Sequence, residues 1–426
     1  MTMKMKRDLF AGGAAYSWRS RETPAAGLNR QRQRAMRAKG GQQGGGGGGY
    51  TQNTNDQAQA AVLAIAQPMQ QPLAPITFSG NNAAIGQTSV VVMNNVGLNT
   101  KIVVEVTGTL AQAAAETLNR TPLGMANFFS NITLTDLNNV QRVNTTGWHL
   151  FLLGTARNRA PIGAAFVNDS PAQLGSNYDV MNAPASITAA VPFRLFFEIP
   201  IAYHDYDLRG AIYAGVTSAQ WRLQLTINPN LVVASNTTDA TQAAYKSTTT
   251  GNLGILSAVT IQVYQCYLDQ LPRSNGVPVL PAISLSYNYL LINTTNLAGA
   301  SGFDTAIFYP NFRTFLSTIL QYDNGGSLNL GTDLNYIAIQ VANMTYLRKL
   351  DPFFVQWMTR NMMLVDFPPG HYYLDHRNKP IDTNQFGNTS LAINPSLVNS
   401  GASFNIAYEM LAIQSQAINA GSFPST

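Results

Sequence analysis

The feature that most limits the fold of this chain is apolar alternation with a period of two. In "FRLFFEI", Phe193, Leu195, Phe197 and Ile199 point one way, and Arg194 and Glu198 the other. "WRLQLTI" sets Trp221, Leu223, Leu225 and Ile227 against Arg222, Gln224 and Thr226. "KIVVEVTG" puts Ile102, Val104 and Val106 on one face, and "TIQVYQ", "LNYIAIQVAN" and "SFNIAYEMLAI" behave similarly. Successive side chains of a strand face opposite sides of its sheet, so this spacing marks half-buried strands. Clusters of Gly, Asn, Pro and Asp separate the runs, as in "SPAQLGSNYD" and "YDNGGS". Many such strands with turn punctuation predict an all-β chain of sandwiches or jelly rolls.

The chain has 426 residues, too many for one ordinary sandwich. It is long enough to build real cores without a disulfide or metal staple. The stretch "YLDQLPRSNGVPVLP" (267–281) carries few alternations and includes Leu271, Pro272, Pro278 and Pro281, so it is the candidate interdomain linker. This divides the chain into an arm at 1–50, a short helix and connector at 51–74, a first β-domain at 75–266, the linker at 267–281, a second β-domain at 282–410 and a tail at 411–426. No sequence repeat relates the two β-domains.

A few helical pieces interrupt the strands: "NDQAQAAVLAIAQP", "NFRTFLSTILQY" and "PFFVQWMTRNMM". In the first, Asn55 or Asp56 can cap the helix, Pro68 bars its continuation, and Ala58, Ala61, Val62 and Ile65 line one face. "NRQRQRAMRAKGG" could form a further short helix, marginal in water without a surface to fold against.

Charge is unevenly placed. The net charge is +5, yet residues 1–39 hold ten basic residues: Lys4, Lys6, Arg7, Arg19, Arg21, Arg30, Arg32, Arg34, Arg37 and Lys39. Only Asp8 and Glu22 oppose them, so the basicity belongs to the arm and the body is nearly neutral. The arm ends in Gly40, Gly41, Gly44, Gly45, Gly46, Gly47, Gly48 and Gly49. Glycine loses more freedom on ordering than any other residue, so this run reads as a flexible tether. An Arg-rich, acid-poor N-terminus also fits an organelle transit peptide, but it lacks the apolar core of a secretory signal. No apolar run approaches the ~20 residues that span a bilayer.

The sequence offers little catalytic chemistry. Cys266 is the single cysteine, which permits neither an internal disulfide nor a cysteine-rich zinc site. His371 and His376 would face opposite sides of a strand, a poor arrangement for metal ligands. Asp205 and Asp207 in "YHDYD" could share a strand face, although a turn or solvated edge explains them better. Asp375, His376 and Arg377 can pair locally. No G-x-S-x-G elbow, phosphate-binding P-loop or H-E-x-x-H helix is present. We expect no enzyme, no cofactor and no metal.

One set of longer stretches is distinctive: "TTGWHLFLLGTARNRAP" (145–161), "DSPAQLGSNYDVMNAPASI", "YHDYDLRGAIYAGV", "VYQCYLDQLP", "YDNGGSLNLGTDLNYI", "RKLDP" and "DFPPGHYYLDHRNKPIDTNQFGN". In this order the chain resembles the major capsid proteins of tectiviruses, tailless bacteriophages with a membrane inside an icosahedral shell. The likeness covers roughly 77–426. It implies a double jelly roll, two eight-stranded antiparallel β-sandwiches side by side, joined at 267–281. It further implies a homotrimer forming a pseudo-hexagonal capsomer, with neighbouring capsomers, minor vertex or cementing proteins and internal membrane lipids as partners. The expected location is the virion shell, after synthesis in the host bacterial cytoplasm. The arm departs from the family pattern by about thirty additional residues. Its expected contacts are lipid, neighbouring capsomer or genome, in that order, and direct nucleic-acid contact is not expected. A coat whose arm neutralises packaged genome stays as the alternative. A carbohydrate-binding sandwich would want a paired carboxylate site, which the sequence does not show.

Overall fold

The computed structural model describes residues 54–158, 184–215, 219–238, 240–251, 253–281, 285–295, 301–328, 331–341, 345–363, 367–378, 380–383 and 388–413. The basic arm and the glycine tether lie outside the described residues.

The first half begins with helix α1 (Thr54–Ile65), followed by strands β1 (Gln67–Pro72) and β2 (Ile76–Phe78). It continues with β3 (Thr88–Val92), β4 (Leu98–Ala111), β5 (Phe129–Thr135) and β6 (Gln141–Thr145). Helix α2 (Gly147–Asn158) then precedes β7 (Val191–Pro200), β8 (Arg222–Ile227) and β9 (Ile255–Asp269). Counting β1 and β2 as two pieces of one strand position gives eight positions. One sheet pairs them in the order 1-8-3-6, as β1/β2–β9–β4–β7, and the facing sheet in the order 2-7-4-5, as β3–β8–β5–β6. That is a jelly roll.

The second half repeats the pattern. Its strands are β10 (Leu285–Thr295), β11 (Thr305–Phe308), β12 (Arg313–Asp323), β13 (Leu334–Val341) and β14 (Thr345–Leu350). Helix α3 (Pro352–Met363) follows, then β15 (His371–Asp375), β16 (Thr389–Pro395) and β17 (Ser403–Ile413). Its sheets run β10–β17–β12–β15 and β11–β16–β13–β14, the same 1-8-3-6 and 2-7-4-5 orders. In both halves a helix follows the fifth strand position. The duplication that no sequence repeat betrays is therefore written in topology.

The alternating runs bury the residues expected of them. Ile102, Val104, Val106, Leu195, Phe197, Ile199, Trp221, Leu223, Leu225 and Ile227 all lie in the core of the first jelly roll. A second core, with Phe315, Leu320, Tyr322, Leu391, Ile393, Phe404, Ile406 and Tyr408, fills the second.

Five expectations need correction. "NFRTFLSTILQY" forms no helix but most of strand β12, because it is buried on both faces. Its Ile319 enters the first core and its Leu320 the second. A strand buried on both sides shows a continuous apolar run, and periodicity alone cannot separate that from a helix. The connector after α1 contains β1, which pairs with β9 from Gln67↔Asp269 to Pro72↔Tyr264. The segment from 267 first completes β9 and then folds into a hairpin. The segment from 411 continues β17, where Leu411 to Ile413 pair with Tyr287 to Leu285. Helix α1 forms as expected, but its buried side chain is Val62, whereas Ile65 is exposed. Val62 packs with Leu98, Ala202, Leu208 and Ala211.

Candidate functional site

The described residues hold no catalytic constellation, and among them no group of three His, Cys, Asp or Glu side chains could hold a metal. The "YHDYD" stretch is a turn: His204 and Asp207 form an isolated bridge, Asp207 pairs with Arg209, and Asp205 lies 3.3 Å from Lys101. Arg377 pairs with Asp375 at 2.7 Å, a local bond as the sequence suggested. Lys4 to Lys39 and Gly40 to Gly49 lie outside the described residues. Among the described residues, a set of buried polar groups sits where the two jelly rolls meet.

That join begins as a parallel pairing. Strand β6, at position five of the first jelly roll, lies beside β10, at position one of the second, with Val143↔Tyr289 and Asn144↔Leu290. The two sheets thereby fuse into one continuous sheet. The hairpin presenting β6 is tied by Asp136, which accepts hydrogen bonds from the backbone of Asn138 and Val140 and from Arg142 Nε at 2.8 Å. Arg142 also donates to the Gly210 carbonyl at 2.6 Å. Gly210 sits at φ +84°, and a Cβ there would come within 2.6 Å of Tyr287, so the chains can touch only with glycine at that position.

Helix α2 lies across the outer face of β10, β17 and β15. Arg157, in its last turn, points its Nε at Glu409 Oε1 of β17 across 3.7 Å, and both side chains are buried. Glu409 is further satisfied by Tyr287, whose hydroxyl donates at 3.2 Å, and by Ser317. The guanidinium stacks 5.0 Å from the Tyr287 ring centroid and 5.6 Å from that of Tyr203, and donates to the Ala202 carbonyl. Burial disfavours the charge on Arg157, but Tyr287, Glu409, Glu198 and Tyr203 together outweigh it and hold the pKa above its ordinary value. Burial raises Tyr203 to about 12.

At the other end of α2, Trp148 Nε1 donates to His371 Nε2 of β15 at 2.9 Å, while His371 Nδ1 faces the Pro369 carbonyl at 3.0 Å. This fixes the neutral imidazole with its proton on Nδ1. Burial pushes His371 down to about 4, and burial together with the neighbouring His371 pushes His149 down to about 3. Tyr289 donates to the His149 carbonyl at 2.9 Å, and Thr241 donates to Asp323 at 2.8 Å. Each of these bonds links the first jelly roll to the second. The join fixes the relative position of the two domains.

The linker residues are ordered. Leu271 and Leu280 pack with Val62, Leu63 and Leu268. Pro272 accepts a hydrogen bond from Val279, and Pro278 pairs with Arg273 across the Asn275–Gly276 turn. Both turn residues take positive φ, the two-residue hairpin geometry that Asn-Gly favours. Pro281 is buried.

Sequence reasoning missed Arg157, Glu409, Trp148 and His371 as a unit. Glu409 did carry a signal, as the one charge within the apolar run "FNIAYEMLAI". What it pairs with is set by tertiary structure alone.

A model described as P3 major capsid protein N-terminal matches residues 51–271, and one described as P3 major capsid protein C-terminal matches 284–425. Major capsid protein P3 of Enterobacteria phage PRD1 is 35% identical over 376 residues, covering 87% of this chain and 94% of that protein. Among solved structures, the crystal structure of the STIV MCP superposes with a TM-score of 0.60 at 11% identity, covering 82% of this chain and 97% of that one. The atomic structure of Sulfolobus Turreted Icosahedral Virus gives 0.59 at 12% identity, with 82% and 91% covered. The PBCV-1 virus capsid gives 0.52 at 9% identity, with 82% and 95% covered.

Proposed function

Because this chain belongs to the P3 major capsid protein family, we propose that three copies join into a pseudo-hexagonal capsomer that tiles an icosahedral shell around an internal membrane. The chain is a structural major capsid protein of the virion and not an enzyme. The double jelly roll supplies a rigid block, and the join is the observation that carries the reading. Buried bonds between the halves, Arg157 with Glu409 and Trp148 with His371, fix the two sandwiches in one arrangement, as a tile with defined edges requires. The two halves divide within 267–281, and neighbouring capsomers and minor vertex or cementing proteins contact the outer surfaces.

The basic arm, Lys4 to Lys39, is assigned to the inner face, tethered by Gly40 to Gly49 so that identical subunits can place it differently. Anionic headgroups favour each Lys or Arg near their surface by ~1 kcal/mol. Three arms on one capsomer multiply that attraction through effective concentration. The second reading, contact with packaged genome, rests on the same ten cations, since phosphates attract them equally.

Analytical ultracentrifugation of the purified chain, with electron microscopy of the particles it forms, tests the capsomer. A single species of three chains with a pseudo-hexagonal outline is expected. A monomer at all accessible concentrations would remove the proposal.

A further inference from the structure

Asparagine stands directly before glycine at 275–276 and at 324–325, and the fold treats the two pairs oppositely. Glycine has no Cβ to keep its own amide nitrogen away from the preceding Asn Cγ, so each pair is open to attack along the chain. Asn324 is buried and its amide is held from both ends. Its Nδ2 donates to Asp333 at 2.7 Å, and its Oδ1 accepts from Asn399 N at 2.6 Å. The backbone is also confined, since a Cβ on Gly325 would come within 2.5 Å of the Ser400 carbonyl. The Asn324 side chain turns toward the Gly325 nitrogen only by breaking these bonds.

Asn275 lies in open surroundings. Ser274, Asn275, Gly276 and Val277 are all exposed, and a Cβ on Gly276 would meet nothing within 4 Å. The hairpin around this turn rests on the pairs Arg273↔Pro278 and Ser274↔Val277, and proline has no N–H to contribute. The turn therefore opens without disturbing a core. Its two arms do have a structural duty. Leu271 and Leu280 pack in the cluster that seats Val62 of α1, and Val279 N donates to the Pro272 carbonyl at 2.8 Å.

We propose that Asn275 is a site of spontaneous modification, where the side-chain amide is lost as ammonia and the interdomain turn is rebuilt as aspartate or isoaspartate. Gly276 N gives its proton to hydroxide and bonds to Asn275 Cγ. The Cγ–Nδ2 bond breaks, and the leaving nitrogen takes a proton from water to depart as ammonia. The cyclic imide that remains is opened by water. Cleavage of the new Cγ–N bond gives aspartate in an ordinary chain. Cleavage at the Asn275 main-chain carbonyl gives isoaspartate, with a backbone one carbon longer. In sum one water is consumed and one ammonia released, with no oxidant or reductant. Loop length selects the turn of a hairpin, so the longer backbone breaks the pairing and loosens the hold of Leu271 and Leu280 on Val62. Aspartate keeps the chain length and suits the same turn, so it leaves the seat of α1 intact.

The test uses the full chain, aged at mildly alkaline pH, digested and mapped by mass spectrometry with electron-transfer fragmentation to tell isoaspartate from aspartate. Asn275 should convert about tenfold faster than Asn324 or more, which asks of the buried amide an opening free energy of only ~1.4 kcal/mol. Equal rates at the two asparagines would overturn the site. So would an Asn275 that keeps its amide while the free peptide RSNGVP converts. Hydrogen exchange at Val279 reads the consequence, in the separated isoaspartate fraction and in a fresh Asn275→Asp variant. It should quicken in the first and stay native in the second. Native exchange in the isoaspartate fraction, or equal quickening in the variant, would overturn the role of the added carbon.

Discussion

A carboxylate with no exposed surface is costly unless its partners repay the lost hydration. Glu409 has three: Arg157 from the other jelly roll, Tyr287 and Ser317. Replacing Glu409 with Gln leaves the guanidinium buried without a counter-charge. Removing one partner of such a pair costs about 3–5 kcal/mol. We expect a clear drop in the calorimetric midpoint, partly restored by pairing Arg157→Met with Glu409→Leu. A single variant as stable as the native chain would mean the pair does not clamp the join. The histidines give a second prediction, in pH. Both are held neutral in the folded chain, at about 4 for His371 and about 3 for His149, against 6.5 for the free side chain. The unfolded chain therefore binds more protons below pH 6.5, so stability is complete above that value and falls as pH drops toward 4. By linkage each histidine costs about 2 kcal/mol at pH 5. His371→Gln keeps an acceptor for Trp148 and cannot titrate, so unfolding followed from pH 7 to 4.5 should show a shallower slope. An unchanged slope would count against the assignment.

At the scale of elements, legibility followed how many faces each strand buries. Strand β8 covers one face, and "WRLQLTI" displayed its alternation plainly. Strand β12 serves the first core through Ile319 and the second through Leu320, so its sequence shows no period of two. The strand misread as a helix, β12, thus lies where the two jelly rolls meet, and the join itself was illegible for a related reason. Its partners stand far apart in the chain, as Trp148 and His371 do, and no local pattern links them. Helix α1 was legible, but its docking was not. Gln59 donates to the Tyr206 carbonyl at 3.0 Å and accepts from Leu208 N at 2.9 Å, so it clamps the turn beside Asp207. Gln59→Ala should lose about 1 kcal/mol per bond, largely as local opening. Hydrogen exchange at Leu208 should quicken while the global midpoint moves little, and exchange at the native rate would show that the clamp is idle.

For the whole molecule, the folded body indicates where its terminal segments leave. Helix α1, which ends the arm, is seated by Val62 in a cluster with Leu98, Ala202, Leu208 and Ala211, and Leu271 and Leu280 of the interdomain hairpin pack against the same cluster. Strand β10 starts at Leu285, opposite Ile413, where the described part of β17 ends. The root of the arm, the crossing between jelly rolls and the end of the last strand therefore gather at one end of the block. The attraction we propose for the arm is one of charge at a surface, carried by its ten basic residues. Deleting residues 1–39 removes ten basic and two acidic residues but no described contact of the body. The truncated chain should keep the oligomeric state and melting temperature of the native one and lose binding to vesicles rich in anionic lipid. Native binding should weaken with salt, because exposed charges are screened within about 8 Å at physiological ionic strength. Duplex DNA separates the alternative: if the arm serves packaged genome, DNA affinity should fall with salt at a log–log slope of about −7 to −9 for eight to ten phosphate contacts. Vesicle binding that survives the deletion would refute the lipid assignment. A truncated chain that no longer oligomerises would show that the arm belongs to the capsomer's own architecture.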